Sequence, residues 1–151
     1  MKIDYKKLIL NILVPLGLGA LVGFLSGSSD GYKDIVQPSF APPGWLFPVV
    51  WSILYILMGV SNYLVKQEQN TNYSLNIYKY QLVVNLLWSF FFFTFKWFLF
   101  SFLWIILLII LVAKMIKEFL SINKTSGYLQ IPYLLWIIFA GILNFAIYLL
   151  N

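Results

Sequence analysis

The sequence predicts an all-α membrane protein, a single bundle of five transmembrane helices spanning residues 1–151. Three observations lead there. The chain is 62% hydrophobic and only 10% charged, whereas soluble domains carry about 25% charged residues. Five apolar stretches, at about 6–26, 43–66, 75–95, 98–119 and 131–150, each approach the ~20 residues a helix needs to cross a bilayer. Charges collect between those stretches or at their ends.

The first stretch follows a basic head, Lys2, Lys6 and Lys7, and contains the 18-residue run Leu8–Leu25, uncharged and apolar apart from Asn11. That run exceeds the roughly 7–15 residues of a secretory signal's apolar region, so it reads as a retained span. Gly19, Gly23 and Gly27 fall four apart with Ala20 alongside. Such a small-residue ridge suits close helix packing, either within the chain or as the seam of a homodimer.

Residues 27–42 form a polar connection carrying Asp30, Gly31, Tyr32, Lys33 and Asp34. It is longer than most connections and feeds directly into Pro42-Pro43, so it reads as a lid. Pro43 lacks an N–H and suits a first helical turn, which starts the second helix there. Pro48 is expected inside that helix, bending it and freeing a carbonyl near its entrance. Trp51, Tyr55, Met58 and Asn62 recur at helical spacing and share a face. Interfacial belts hold aromatics at the membrane surfaces; Trp51 and Tyr55 sit deeper, as on a bundle-facing surface or pocket.

The third helix, 75–95, carries Gln81, Asn85, Trp88 and Phe92 on one face, and polar groups inside a bilayer face protein. Lys96-Trp97 makes a tight turn. The fourth, 98–119, is filled with Leu and Ile over 105–111 and reads as a scaffold helix exposed to lipid. After a polar turn at Ile122–Gln130, the fifth helix begins near Ile131 with Pro132 in its first turn. Its marked face runs through Tyr133, Trp136 or Ile137, Ala140, Asn144 and Tyr148.

Lysines orient the bundle. Lys2, Lys6, Lys7, Lys66, Lys79, Lys114, Lys117 and Lys124 fall on the N-terminal side, and only Lys33 and Lys96 on the other. The positive-inside rule then puts the N-terminus in the cytoplasm, with the 27–42 loop and the C-terminus outside a cell (inner or plasma) membrane.

The missing residue types narrow the chemistry. With no His and no Cys, the usual haem-iron ligands and thiol nucleophiles are absent, and no metal site is expected. The acids Asp4, Asp30, Asp34, Glu68 and Glu118 lie in loops or at segment ends, so no mid-membrane pair serves acid–base catalysis or a proton relay. Charged pore rings are absent as well. The net charge of +5 is spread over helix ends rather than gathered with aromatics on one face, which argues against nucleic acid as a partner. No internal repeat marks a common secondary transporter. What remains is aromatic surface with a few amides. Trp51, Tyr55, Trp88, Phe92 and Trp136 suit a dry pocket for a flat conjugated ligand, oriented by Gln81, Asn85 and Asn144. Plain helix-to-helix packing accounts for the same spacing equally well.

Three motifs carry a resemblance: P-S-F-A-P-P-G-W-L-F-P-V-V-W-S-I-L-Y-I-L-M-G from Pro38, N-L-L-W-S-F-F-F-F from Asn85, and P-Y-L-L-W-I-I-F-A-G-I-L-N from Pro132. Together they resemble the TspO/MBR family, the translocator proteins, tryptophan-rich sensory proteins or peripheral-type benzodiazepine receptors. The resemblance covers nearly the whole chain in the family's order; Phe40 stands where many relatives carry Trp. It implies a membrane receptor binding porphyrins such as protoporphyrin IX, and benzodiazepine-type and isoquinoline carboxamide ligands. For bacterial relatives it implies tetrapyrrole regulation, stress response and light-dependent porphyrin breakdown. It places the ligand-binding positions at Tyr32, Pro42, Trp51, Tyr55, Asn85, Trp88, Trp136, Phe139 and Ala140. Trp51 and Trp136 are the implied catalytic pair, reacting with photoexcited porphyrin. Porphyrin enters as ligand or substrate, and no separate cofactor is expected. The family's sterol-contact pattern is incomplete, since Phe145 and Leu149 occupy its positions and no basic residue follows. Carrier and membrane-scaffold readings stand beside receptor and enzyme.

Overall fold

The computed structural model describes residues 2–151, and among them every regular element is helical. The helices are α1 (Tyr5–Leu25), α2 (Ser28–Lys33), α3 (Leu46–Lys66), α4 (Asn72–Ser89), α5 (Phe98–Ile122), α6 (Lys124–Tyr128) and α7 (Ile131–Leu150). A π-helical turn, Phe90–Thr94, ends α4. Four segments are long and apolar enough to cross a membrane: α1, α3, α5, and Lys124–Leu150, which joins α6 to α7. The fifth long helix, α4, has 18 residues but carries Asn72, Asn76, Lys79, Gln81 and Asn85.

The inner end of the bundle is solid. Met58 and Val65 of α3, Val112, Met115 and Phe119 of α5, and Tyr133 and Ile137 of α7 are fully enclosed. Tyr78 and Leu82 of α4 complete that core. The scaffold reading of the fourth helix is matched by α5, which buries Ile105, Leu108 and Val112 on one face and exposes Phe100, Leu103 and Ile110 on the other. α1 is different: Pro15 is its only buried residue. It begins on an Asp4 cap, whose carboxylate accepts the Lys7 amide at 3.3 Å. It closes on α3 at Gly59, where an added Cβ would lie 2.6 Å from the Asn11 carbonyl oxygen. Pro15 lacks the N–H that would bond that same carbonyl, so the helix is weakened where α3 approaches it.

Several sequence expectations shift. α3 begins at Leu46, not Pro43. A residue preceding proline is driven out of the helical region, so Pro42-Pro43 extends the chain and a turn at Gly44-Trp45 precedes the helix. Pro48 therefore sits in the first turn, where its missing N–H costs nothing and no bend follows. Its carbonyl accepts the Ser52 hydroxyl at 2.7 Å. The proline that interrupts a helix interior is Pro15. The 27–42 connection is not a plain loop, since it holds α2, and the polar turn before α7 holds α6, capped by Asn123. The glycine ridge divides three ways. Gly19 meets the Tyr55 ring, Gly23 has only the Ser28 hydroxyl within reach, and Gly27 is a left-handed turn residue at φ 71°.

Candidate ligand cavity

Above the solid core, the outer half of the bundle is hollow. A cavity of about 300 Å³ lies between α1, α3, α4 and α7 beneath α2. Its α1 wall is thin because Gly19, Ala20 and Gly23 present almost no side chain. The remaining walls are rings. Trp51 stacks on Tyr55 with centroids 5.6 Å apart and planes 28° apart, and meets Tyr133 edge-on at 6.1 Å. Trp88 stacks on Phe92 at 4.8 Å. Trp136 lies against Phe47 at 5.8 Å and Phe139 at 5.4 Å.

The floor is a hydrogen-bonded series. The Tyr55 hydroxyl donates to Asn85 Oδ1 at 2.7 Å, Asn85 Nδ2 donates to the Tyr133 hydroxyl at 2.8 Å, and that hydroxyl donates to Gln81 Oε1 at 2.7 Å. Each member lies on the core-facing stripe of its helix, which is why buried amides and phenols meet there rather than facing lipid. A second pair fixes the α4 wall: the Trp88 indole N–H donates to Asn144 Oδ1 at 3.0 Å, and Asn144 Nδ2 donates to the Phe98 carbonyl at 2.9 Å. Asn85 keeps one amide proton that this series does not use.

The outer end is covered by α2. The Tyr32 hydroxyl donates to the Pro42 carbonyl at 2.9 Å, and its ring meets Phe47 edge-on at 4.9 Å. Burial pushes the Tyr32 phenol above its usual range, so it remains a neutral donor. Gly44 packs beside that ring, where an added Cβ would stand in ordinary contact, 3.4 Å from Tyr32 Cδ1. Two further ties hold the cover. Thr94 Oγ1 donates to the Ser26 carbonyl at 2.8 Å, and Asn151 exchanges hydrogen bonds with the Val36 backbone at 3.2 and 2.9 Å.

Of the positions carried over by resemblance, Tyr32, Trp51, Tyr55, Asn85, Trp88, Trp136 and Ala140 border this one space. Pro42 and Phe139 do not. Pro42 supplies the carbonyl that holds Tyr32, and Phe139 lies on an outer groove on the other side of Trp136. Gln81 is fully buried but lies two links below Asn85 rather than on the wall. Residues not singled out as site members also line the space, among them Leu16, Phe47, Ser52 and Phe93. Phe47 was legible in principle, four residues before Trp51 on the same face; the α1 wall was not, because glycines read equally well as packing.

A helical bundle with several spans long and apolar enough to cross a membrane, and an aromatic-walled cavity among them, defines a multi-pass membrane protein. Its relatives agree with that class. The model of the TspO/MBR family matches residues 11–150. Over 155 residues the chain is 36% identical to the tryptophan-rich protein TspO of Chlorobaculum tepidum, covering 96% of this chain and 98% of that one. It is 39% identical to the protein of the same description from Archaeoglobus fulgidus, over 96% and 97% of the two chains. The translocator protein of Homo sapiens is 28% identical over 87% of this chain and 82% of its own length. The chain belongs to the TspO/MBR family.

Proposed function

We propose that this protein is a membrane receptor for flat, largely apolar conjugated ligands of the porphyrin class. The observation that carries the reading is the joining of Trp51, Tyr55, Trp88 and Trp136 around one cavity, with the amides of Asn85 and Asn144 among its few polar groups. Indole and phenol faces suit stacking on a macrocycle, worth roughly 0.5–1.5 kcal/mol per ring pair beyond area burial. The cavity is at the low end of the ~300–1,000 Å³ typical of small-molecule sites, so a tetrapyrrole engages it by spreading a wall. Benzodiazepine-type and isoquinoline carboxamide compounds, being smaller, fit the same surface. The relatives' names, tryptophan-rich protein TspO and translocator protein, accord with this reading.

A second reading, light-dependent conversion of the bound porphyrin, is favoured by one observation: Trp51 and Trp136 both border the space a ligand would fill. Indole is the readily oxidised side chain at hand in a chain with no Cys and no His. In the orientation proposed here, α4 also crosses the membrane, as the third of five spans, and the N-terminus is cytoplasmic. Eight lysines lie on that side and two on the other, and the Asn151–Val36 bonds put the C-terminus beside the cover.

The test is a titration of the protein in lipid nanodiscs with protoporphyrin IX, followed by tryptophan quenching in the dark and porphyrin absorbance under illumination. Wild type is expected to bind. Trp51→Phe and Trp136→Phe are expected to keep affinity within about tenfold, a loss of up to about 1.4 kcal/mol, while losing light-driven conversion. Equal conversion by all three proteins removes both indoles from the chemistry, and absence of quenching in wild type removes the porphyrin reading.

A further inference from the structure

A second hollow lies outside the first. Between α3 and α7, on the bundle's outer surface, runs an open groove of about 410 Å³. Val50, Ile53 and Leu54 form one side, and Leu135, Trp136 and Phe139 the other. Both helices belong to apolar spans, and Ile53 and Leu135 are 52% and 63% exposed, so the groove opens onto the hydrocarbon of the bilayer. Trp136 borders both hollows. A single indole is thus shared between the enclosed cavity and the lipid-facing groove.

That indole has no polar tether, unlike Trp88 on the facing α4 wall. Trp88 is tied through its N–H to Asn144, and Trp104 through its N–H to the Val84 carbonyl at 2.7 Å. Trp136 Nε1 is buried with no hydrogen-bond partner among the described residues. Its contacts are apolar, with the rings of Phe47 and Phe139 and with the main core cluster. A side chain with no polar tether has other staggered rotamers within reach, and turning it costs no hydrogen bond. The two ends of the cavity are blocked. The inner end is solid core, and the outer end is covered by α2, tied at Tyr32, Thr94 and Asn151.

We infer that the groove between α3 and α7 is the membrane-side entrance of the cavity, receiving flat apolar ligands from the bilayer core, with Trp136 as the turning partition. This rests on reading the cavity as a ligand site. Lipid tails are as apolar as the groove itself, so shape rather than polarity selects what lodges there. A planar ring system lying on the Trp136 face meets that demand, and the same face then leads it inward.

The absence of cysteine from the chain permits a direct test that needs no porphyrin. Ala140 lines the cavity and is absent from the groove lining. In Ala140→Cys protein reconstituted in phosphatidylcholine vesicles, the rate of modification by bilayer-dissolved N-(1-pyrenyl)maleimide, a flat apolar probe, reports arrival in the cavity. Filling the groove with Val50→Phe or Leu135→Phe, neither of which borders the cavity, is expected to slow modification about tenfold, equivalent to about 1.4 kcal/mol in barrier. A disulfide between cysteines placed on α2 and in the α4–α5 turn, locking the cover, is expected to leave the rate unchanged. Unchanged rates in both filled variants, or slowing by the cover lock, overturn the inference. Ile53→Phe serves as a third filled variant should either of the others fold poorly. If the filled variants slow the probe while wild type fails to bind protoporphyrin IX, the entrance stands and the porphyrin reading falls.

Discussion

The ring of Tyr55 occupies the space that a Cβ on Gly19 would need, with its Cδ2 only 2.7 Å from that point. The absence of one side chain on α1 therefore lets the Tyr55 hydroxyl stand at Asn85 and the ring stack beneath Trp51. Gly19→Ala is expected to displace the Tyr55 ring and destabilise the bundle by about 1–3 kcal/mol, the usual cost of overpacking. Gly23→Ala, facing only the Ser28 hydroxyl at 3.7 Å, is expected to be close to neutral. Thermal unfolding of both variants in nanodiscs checks this, and equal shifts in Tm would refute it.

Asn85 joins two phenols, so its loss is expected to be felt through them. Asn85→Leu leaves the Tyr55 proton without its acceptor in a buried site, at a cost of about 1–3 kcal/mol. Adding Tyr55→Phe removes the orphaned group and should recover part of the loss. A double-mutant cycle read by unfolding is expected to give a coupling of about 1 kcal/mol. Strict additivity would mean that the Tyr55–Asn85 bond contributes nothing to the floor.

The cover over the cavity should loosen in alkali. Burial raises the Tyr32 phenol, so when α2 opens the group becomes the stronger acid. The closed state is therefore favoured unchanged below about pH 10, the ordinary tyrosine value, and loses ground as pH climbs from there through the raised value. A nitroxide on Ser29→Cys should gain mobility across that window in wild type. In Tyr32→Phe it should be mobile already and insensitive to pH; an identical alkaline transition in that variant would assign the effect to another group.

Orientation is open to a simple labelling experiment. Ser29 and Gln69 are both exposed and lie at opposite ends of α3. In intact cells an impermeant thiol reagent is expected to modify Ser29→Cys and to spare Gln69→Cys until the cells are broken. The reverse pattern inverts the topology.

Sequence alone reached the helical class, the long helices to within a few residues and the aromatic and amide faces of α3 and α4, because those depend on apolar length and helical periodicity. Tyr32 and Ala140 came as site members only with the family resemblance. The Gln81–Asn85–Trp88–Phe92 stripe is a case where spacing sufficed: three of the four are fully buried, and Trp88 is anchored to Asn144. Pro48 shows the limit. Whether a proline kinks a helix or opens one depends on a start point three residues away, and that start was moved by how Pro42-Pro43 turned. Phe139 shows another limit. It is three residues from Trp136 and beside Ala140, yet it faces the groove, because the half-turn between inner and outer faces is finer than spacing resolves.

One consequence concerns the helix that closes the cavity. α1 supplies Leu16, Gly19, Ala20 and Gly23 to the wall while burying only Pro15, with a proline break midway and lipid over most of its surface. The wall is held on one side, by the close approach of α1 to α3 at Gly59 and Gly19 and by the Asn62–Asn11 hydrogen bond. An apolar helix answers mismatch by tilting, so bilayer thickness is expected to act on the volume of the cavity that α1 walls. If the cavity holds the proposed ligand, its affinity is expected to differ between thin and thick bilayers.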